Sequence, residues 1–386
     1  MDTNDFVGSF AQENVSFTTR VVRTSYVGDN YWKVMIFIEN DRYVTSTGPE
    51  WVTVPGSSTY KALAVNVDTY TTYTKGVLQS WLYDLFCNGF TGDCILVTCG
   101  EQVTDDTETL SQFNKNLEEA YALMKAYAYH KTVLAGKVDG TEGSVGATLA
   151  KLCTADKGLL SSAPYFPYST STPEVSMSDT LYTEVKNSGY DAFFSAHQDT
   201  SRNAALYSLG LALSIINNSG TAVGNSMDMI SSANITSSGL NGTNLSQEIR
   251  NTLEGLNIQT FKPIGDNSGN VAAIGASTIN GDVVQATWIL SYITYMTKVR
   301  IAQLITQPNV LKNSTTYSQC LNILGSYLAL FGESGSNRLT DMSITAPGFG
   351  SVASEDDVII IPNAWIATYV DQVREVQITG TLYIGV

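Results

Sequence analysis

Tyr31-Trp32-Lys33-Val34-Met35-Ile36-Phe37-Ile38 is the stretch on which the fold turns. Aromatic and β-branched residues dominate it, as they do in a strand covered on both faces. Downstream, Leu78, Trp81, Leu82 and Leu85 fall on one side of a helix spanning Val77 to Phe86, which Asn88-Gly89 stops. Cys94-Ile95-Leu96-Val97-Thr98 is a second compact apolar run. Strand, helix, strand in that order predicts a parallel α/β sheet.

Working outward, Gly48-Pro49 and Pro55-Gly56 bracket a short strand from Trp51 to Val54. A long helix is expected from Asp106 to Leu134, with Leu110, Phe113, Leu117, Tyr121, Met124 and Ala128 on its apolar face. Residues Gly136 to Ser178 read as loop-rich, with a turn at Pro164-Tyr165-Phe166-Pro167-Tyr168. Asp191–Ala196 reads as a strand and Arg202–Ile216 as a helix ended by Asn217-Asn218-Ser219-Gly220. The small, polar residues Gly220–Asn244 mark a boundary. Beyond it come a helix at Leu245–Leu256, a hairpin of Ile258–Phe261 with Val271–Ala276, and helices near Asp282–Thr306 and Ser314–Phe331. Mixed strands follow at Ser343–Thr345 and Val358–Ile361. No repeat of 20–50 residues is visible.

The last strand is the most regular. From Glu375 to the end, Val376, Ile378, Leu382, Ile384 and Val386 point one way, and the residues between them point the other. No hairpin partner follows it, so it pairs with an earlier part of its own chain or lends its backbone to another subunit's sheet edge. At the other end, Val15, Phe17 and Val21 lie on one face of a weaker strand, whose alternation breaks at Val21-Val22.

Composition narrows the function. At 386 residues the chain can bury a sizeable core. Charged residues make up 15%, against roughly 25% in a typical soluble domain, which leaves uncharged surface for assembly. Acidic residues outnumber basic ones, 36 to 21, the reverse of what phosphate contacts need, so no direct nucleic-acid partner is expected. The 5 cysteines include no C-x-x-C pair, which argues against a disulfide framework or zinc ribbon and for a reducing compartment. The polar start MDTNDFVGSF is not expected to be a signal peptide. The N-x-S/T triplets at Asn14, Asn234, Asn241, Asn244 and Asn313 follow from Ser, Thr and Asn abundance. Val283–Ile305 carries Gln285, Lys298, Arg300 and Gln303, so it reads as a buried or amphipathic helix without membrane insertion.

A search for chemistry finds little. His130 is placed near the end of the long helix beside Lys131, where a cation suits the helix dipole. His197 follows a strand in Ser195-Ala196-His197-Gln198-Asp199, which gives an α/β hydrolase-like reading based on Ser195, His197 and Asp199. That reading lacks a G-x-S-x-G elbow, and a strand-end histidine satisfied by a carboxylate is the plainer account. Gly220–Asn225 lacks the Lys-Ser/Thr of a phosphate loop. Asp105-Asp106 and Glu355-Asp356-Asp357 lack the spacing of a calcium loop. Tyr121, Tyr127, Tyr129, Tyr292 and Tyr295 are read either as packing or as an interface. No catalytic residue, cofactor or metal site is therefore assigned.

From about Tyr31 onward the order of elements resembles the contractile phage tail sheath proteins, and also the sheaths of R-type bacteriocins and related contractile injection systems. The most specific stretch runs Thr297-Lys298-Val299-Arg300-Ile301-Ala302-Gln303-Leu304-Ile305-Thr306-Gln307-Pro308-Asn309 and continues with Cys320-Leu321-Asn322-Ile323-Leu324-Gly325-Ser326-Tyr327-Leu328-Ala329-Leu330-Phe331-Gly332. A helix bearing basic residues, a break, and a second helix closed by glycine make the likeness, with Gly281-Asp282 resembling the family's opening to that region. Val77–Phe90 with Cys94–Val97 is similar to the helix and strand of the sheath outer domain.

The resemblance implies an α+β protein with an N-terminal arm (residues 1–27), an outer α/β domain (28–244), an inner, tube-facing α/β domain (245–373) and a C-terminal arm strand (374–386). It implies stacked hexameric rings around a tail tube, contracting to drive the tube through a host envelope. Partners would be further copies of the chain, the tail tube protein, and baseplate and tail terminator proteins. The place implied is the virion tail, assembled in the host bacterial cytoplasm. The arms would add strands to neighbouring sheets through Val15, Phe17, Val21, Val376, Ile378, Leu382, Ile384 and Val386, with Lys298, Arg300 and Lys312 as candidate tube contacts. A strand as long as the C-terminal one spans about 40 Å at roughly 3.3 Å per residue, enough to reach a neighbour. Contraction would draw on a metastable extended state and need no nucleotide. The other readings are a different virion component (tail tube or capsid) and the hydrolase-like enzyme above.

Overall fold

The computed structural model describes residues 33–39, 43–45, 51–100, 107–135, 144–156, 163–169, 180–197, 201–219, 231–232, 245–263, 271–307, 310–333, 338–351, 361 and 364–369. In chain order the first part holds β1 (Val34–Ile38), β2 (Val52–Thr53), β3 (Lys61–Val65), α1 (Tyr70–Tyr73), α2 (Gly76–Phe86), β4 (Cys94–Thr98), α3 (Thr107–Met124), β5 (His130–Leu134) and α4 (Val145–Ala155). Then come β6 (Tyr165–Ser169), α5 (Thr180–Asn187), β7 (Phe193–His197), α6 (Ala204–Ser219), β8 (Ser231–Ser232), α7 (Gln247–Gly255), β9 (Thr260–Pro263) and β10 (Val271–Ile274). The last are α8 (Val284–Ile305), α9 (Ser314–Ala329), β11 (Leu339–Ile344) and β12 (Trp365–Tyr369).

The apolar run that opens the sequence argument is the centre of the first sheet. All five residues of β1 are buried, and β4 and β5 flank it in parallel, with Val34 beside Cys94 and His130. The strand order is β2-β3-β4-β1-β5, with β3 antiparallel to β4. The expected parallel pair is therefore present inside a mixed sheet. Beyond β5, Thr132 Oγ1 donates to the Tyr165 carbonyl at 2.5 Å and brings up the parallel pair β6–β7. Gln259, just ahead of β9, then bonds the β7 backbone in both directions, to Phe194 O and from Ala196 N. The hairpin β9–β10 carries β8 on its far side. These strands mixed with helices on both sides give the α+β class expected.

Side-chain alternation sorts the helices into two layers. Val34, Ile36 and Ile38 face a cluster built with α2, α6 and α8. Met35 and Phe37 face the other, built with α3, α4, α5 and α7. Both clusters take residues from either side of position 245: Leu253 and Ile258 join the second, and Trp288 and Ile293 the first. The stretches expected as outer and inner domains thus share their cores.

Helices α2 and α6 approach so closely that a Cβ at Gly210 would collide with the Leu85 carbonyl oxygen. Asp84, fully buried on α2, accepts from Arg202 Nε at 2.9 and 3.0 Å, from Arg202 Nη2, and from the Asn203 amide at 2.9 Å. The Arg202 guanidinium also lies 5.2 Å from the Tyr83 ring centroid. A shared ion pair thereby fixes the start of α6 to α2.

Two expected elements are corrected. The long helix does not reach Leu134: α3 ends at Met124, and His130–Leu134 form a strand buried at every position. The polar pair His130-Lys131 had read as a helix end, yet each side chain is satisfied from outside its own element. His130 Nδ1 lies 2.9 Å from Tyr165 Oη, and Lys131 Nζ donates to Tyr129 O at 3.2 Å. Neither stands at a helix C-terminus. The loop-rich reading of 136–178 also fails in part. Val145–Ala155 is helical, capped by the Ser144 hydroxyl accepting from Ala147 N at 3.3 Å. Tyr165–Ser169 is a strand, not a turn; Pro167 is accommodated because the β5 side of β6 is met through side chains rather than a ladder.

Burial lowers the Lys131 ammonium from its ordinary 10.5 to about 8, offset in part by Cys153 and Asp156. Between those values the unfolded chain holds a proton that the folded one has released, so stability rises with pH across the window. Below pH 8 the buried charge costs about 3 kcal/mol. Lys131→Met keeps the stem but gives up the bond to Tyr129 O and the cation's place 5.6 Å from the Tyr121 ring centroid, so a net gain of about 1–2 kcal/mol at pH 7 is expected. Urea unfolding at pH 7 and pH 9.5 checks this: the variant should be the more stable at pH 7 and nearly equal to wild type at pH 9.5. A variant weaker at pH 7 contradicts it.

Candidate functional site

The enzyme reading centres on Ser195. The structure places this residue on β7 with no exposure, and its hydroxyl donates to Gln259 Oε1 at 3.0 Å. The same oxygen accepts from Ser208 Oγ at 2.5 Å. The Gln259 side chain, just ahead of β9, thereby joins β7 through Ser195 and α6 through Ser208, and Ser195 is held as a buried structural hydroxyl. His197 ends β7, while Asp199 lies outside the described residues.

His130 is equally enclosed. Its ring meets Tyr129, Tyr165 and Trp288 edge-on, with centroids 4.9, 5.5 and 4.7 Å away. The tyrosines divide the same way: Tyr121, Tyr129 and Tyr295 are buried, which favours packing over an interface. Among the described residues, no group of three or more His, Cys, Asp or Glu side chains could hold a metal ion. Among the same residues, no helix is long and apolar enough to cross a membrane.

Unsatisfied surface lies instead toward the C-terminal end of the chain. Strands β11 and β12 pair antiparallel and, among the described residues, only with each other. The register shifts between Thr340 and Ser343, where Asp341 takes φ +50°, as at a bulge. The inward residues Trp365, Ala367 and Tyr369 pack on the core, and Tyr369 Oη donates to Gln285 Oε1 at 2.8 Å. The outward ones do not: Ile366 is 57% exposed and Ile344 41%. Strand β12 carries no alternating signal in its sequence, for Trp365, Ile366 and Ala367 are all apolar; only its burial alternates, from Trp365 to Tyr369. Of the expected strand Val358–Ile361, residues 358–360 lie outside the described residues and Ile361 is not in a strand.

The helix pair α8–α9 is a second such surface. No Asp or Glu occurs between Asp282 and Glu333, and Lys298, Arg300 and Lys312 are the only charges there. Arg300 is exposed and its guanidinium donates to Tyr327 Oη at 3.2 Å and Gln303 Oε1 at 3.0 Å. Lys312 is exposed beside Leu311, which is 65% exposed. Lys298 departs from expectation, for it is only 3% exposed. Of the three candidate tube contacts, Arg300 and Lys312 are the exposed side chains. The strand residues Val15, Phe17, Val21, Val376, Ile378, Leu382, Ile384 and Val386 lie outside the described residues, as do Asp105-Asp106, Gly220–Asn225 and Glu355-Asp356-Asp357.

The sequence matches no protein-family model and no curated protein. Among solved structures, the fold matches a chain of the anti-feeding prophage (AFP) baseplate, determined by cryo-EM and 6-fold symmetrised. The TM-score is 0.57 at 12% identity, and the match covers 96% of this chain and 97% of that one. The two chains share a fold over almost their whole lengths. At that identity the likeness speaks to fold, and it reaches across both cores and the α8–β12 region.

Proposed function

We propose that this chain is a structural subunit of a contractile injection machine: a sheath protein that polymerises as stacked hexameric rings around a tail tube. The observation that carries this reading is the end-to-end fold match with a chain of the AFP baseplate, a contractile injection system. It agrees with the sheath resemblance, which rested on different information, namely the order and spacing of sequence motifs.

The β11–β12 sheet gives the reading a physical basis. Among the described residues β11 and β12 form a two-stranded sheet that exposes Ile344 and Ile366, and a sheet left in that state invites association through its backbone edges and apolar side chains. Strands donated by the arms of neighbouring subunits, residues 1–27 and 374–386, complete it. Arg300 and Lys312 are the exposed cations that would meet a tube of acidic surface.

A second reading, a baseplate subunit of the same fold, is favoured by the source of the structural match. Electron microscopy of the purified chain separates the two. Stacked rings or tubes of helical symmetry support the sheath reading, and single closed rings that do not stack support the baseplate one. A chain that stays monomeric at every concentration contradicts both.

A further inference from the structure

On α8, Thr287, Leu290, Thr294, Lys298, Ile301 and Ile305 recur at three- and four-residue spacing and form one face. Leu290 is exposed, and Thr287, Thr294, Ile301 and Ile305 are half-buried, so the protomer leaves this apolar stripe partly uncovered. Lys298 falls in its middle, 3% exposed. Among the described residues it has neither a carboxylate within ion-pair distance nor a hydrogen-bond acceptor. The buried side-chain atoms without a partner include Thr297 Oγ1 and Trp288 Nε1 of the same helix but not Lys298 Nζ, so the ammonium keeps an opening to the surface. Buried charges are ordinarily paired. Among the described residues Lys298 is not paired within the protomer, and a carboxylate from outside it would supply the missing counter-charge.

We propose that this face of α8 docks a second copy of the chain, which lays an apolar segment over Leu290 and Ile301 and delivers a carboxylate to Lys298. The inference rests on the self-assembly reading above and names one contact within it. Charge favours another copy as the occupant. The carboxylate cannot come from the stretch between Asp282 and Glu333, which has none, whereas the whole chain has a formal net charge of −15. A second molecule therefore offers carboxylates in excess to a helix pair that carries only cations. Burial already lowers the Lys298 ammonium from 10.5 to about 8, which fits a site whose counter-charge is missing in the isolated protomer.

The test compares the concentration at which full-length wild type, Lys298→Met and Lys298→Arg assemble, by light scattering and negative-stain microscopy. Lys298→Met removes an unpaired charge from the protomer, so its folding should be unharmed, yet it strands the incoming carboxylate. A rise in assembly concentration of at least roughly 30-fold is expected. Lys298→Arg keeps the charge and should recover a large part of it. Lys298→Met assembling at the wild-type concentration overturns the proposal. So does a variant that self-assembles normally but fails to bind a separately supplied tube protein, since the carboxylate then belongs to that protein. Wild type that never assembles is a different outcome, which removes the self-assembly reading itself and this contact with it.

Discussion

Arg202→Ala is expected to destabilise the protomer by about 3–5 kcal/mol, because it leaves the Asp84 carboxylate buried without its counter-charge. Asp84 has no exposure, and water cannot easily take the place of the lost guanidinium. The Asn203 amide would remain as a donor at 2.9 Å, which offsets only part of the loss. The damage should spread beyond the pair, for α2 and α6 meet at Gly210 with no room to shift toward each other. The double variant Asp84→Leu/Arg202→Met removes both charges and keeps apolar volume, so it should recover most of the stability. Urea denaturation followed by circular dichroism measures all three proteins. A single variant that loses under about 1 kcal/mol would show that the pair is screened and that other contacts hold the helices together.

Deleting residues 375–386 is expected to leave the protomer folded and to abolish ring and tube formation. The described residues of the two clusters around β1 all lie outside that segment and stay in the truncated chain. On the proposed strand donation, the deletion removes a segment that would span about 40 Å as a strand and close several backbone hydrogen bonds on another subunit's sheet edge. Each such bond contributes about 1 kcal/mol net, and the added strand also covers Ile344 and Ile366. A loss spread over a whole strand exceeds what a point substitution on α8 produces. Sedimentation velocity gives the answer: a single slow species for the truncated chain beside large assemblies of the intact one. Truncated chains that polymerise as readily as full-length protein would falsify strand donation.

Where local pattern and final environment agree, the sequence can be read directly. β1, α2 and β4 each carry their burial in consecutive residues, so the apolar run at Val34–Ile38 and the 3–4 spacing of Leu78, Trp81, Leu82 and Leu85 lead to the observed elements. β5 is hidden because His130 and Lys131 mark it as polar surface. They are buried on account of Tyr165 Oη and Tyr129 O, partners that no periodicity announces. β6 is hidden by Pro167, a residue tolerated where no ladder is needed on one side. The α8 surface was half legible: the absence of acidic residues is plain in the sequence, but Lys298 looks there like any exposed cation. Only the packed helix reveals that it is 3% exposed and unpaired. Function stayed hard to read for a related reason. A surface for assembly would consist of what a protomer leaves unsatisfied, such as β11–β12, which among the described residues pair only with each other, and that becomes visible only once the other described elements have been paired.

The most direct measurement is a cryo-EM reconstruction of particles assembled from the intact chain. The expected map traces the ribbon ending at Val386 out of one subunit and onto the β11–β12 sheet of another. A map in which that ribbon returns to its own subunit, with no strand passing between molecules, contradicts the account.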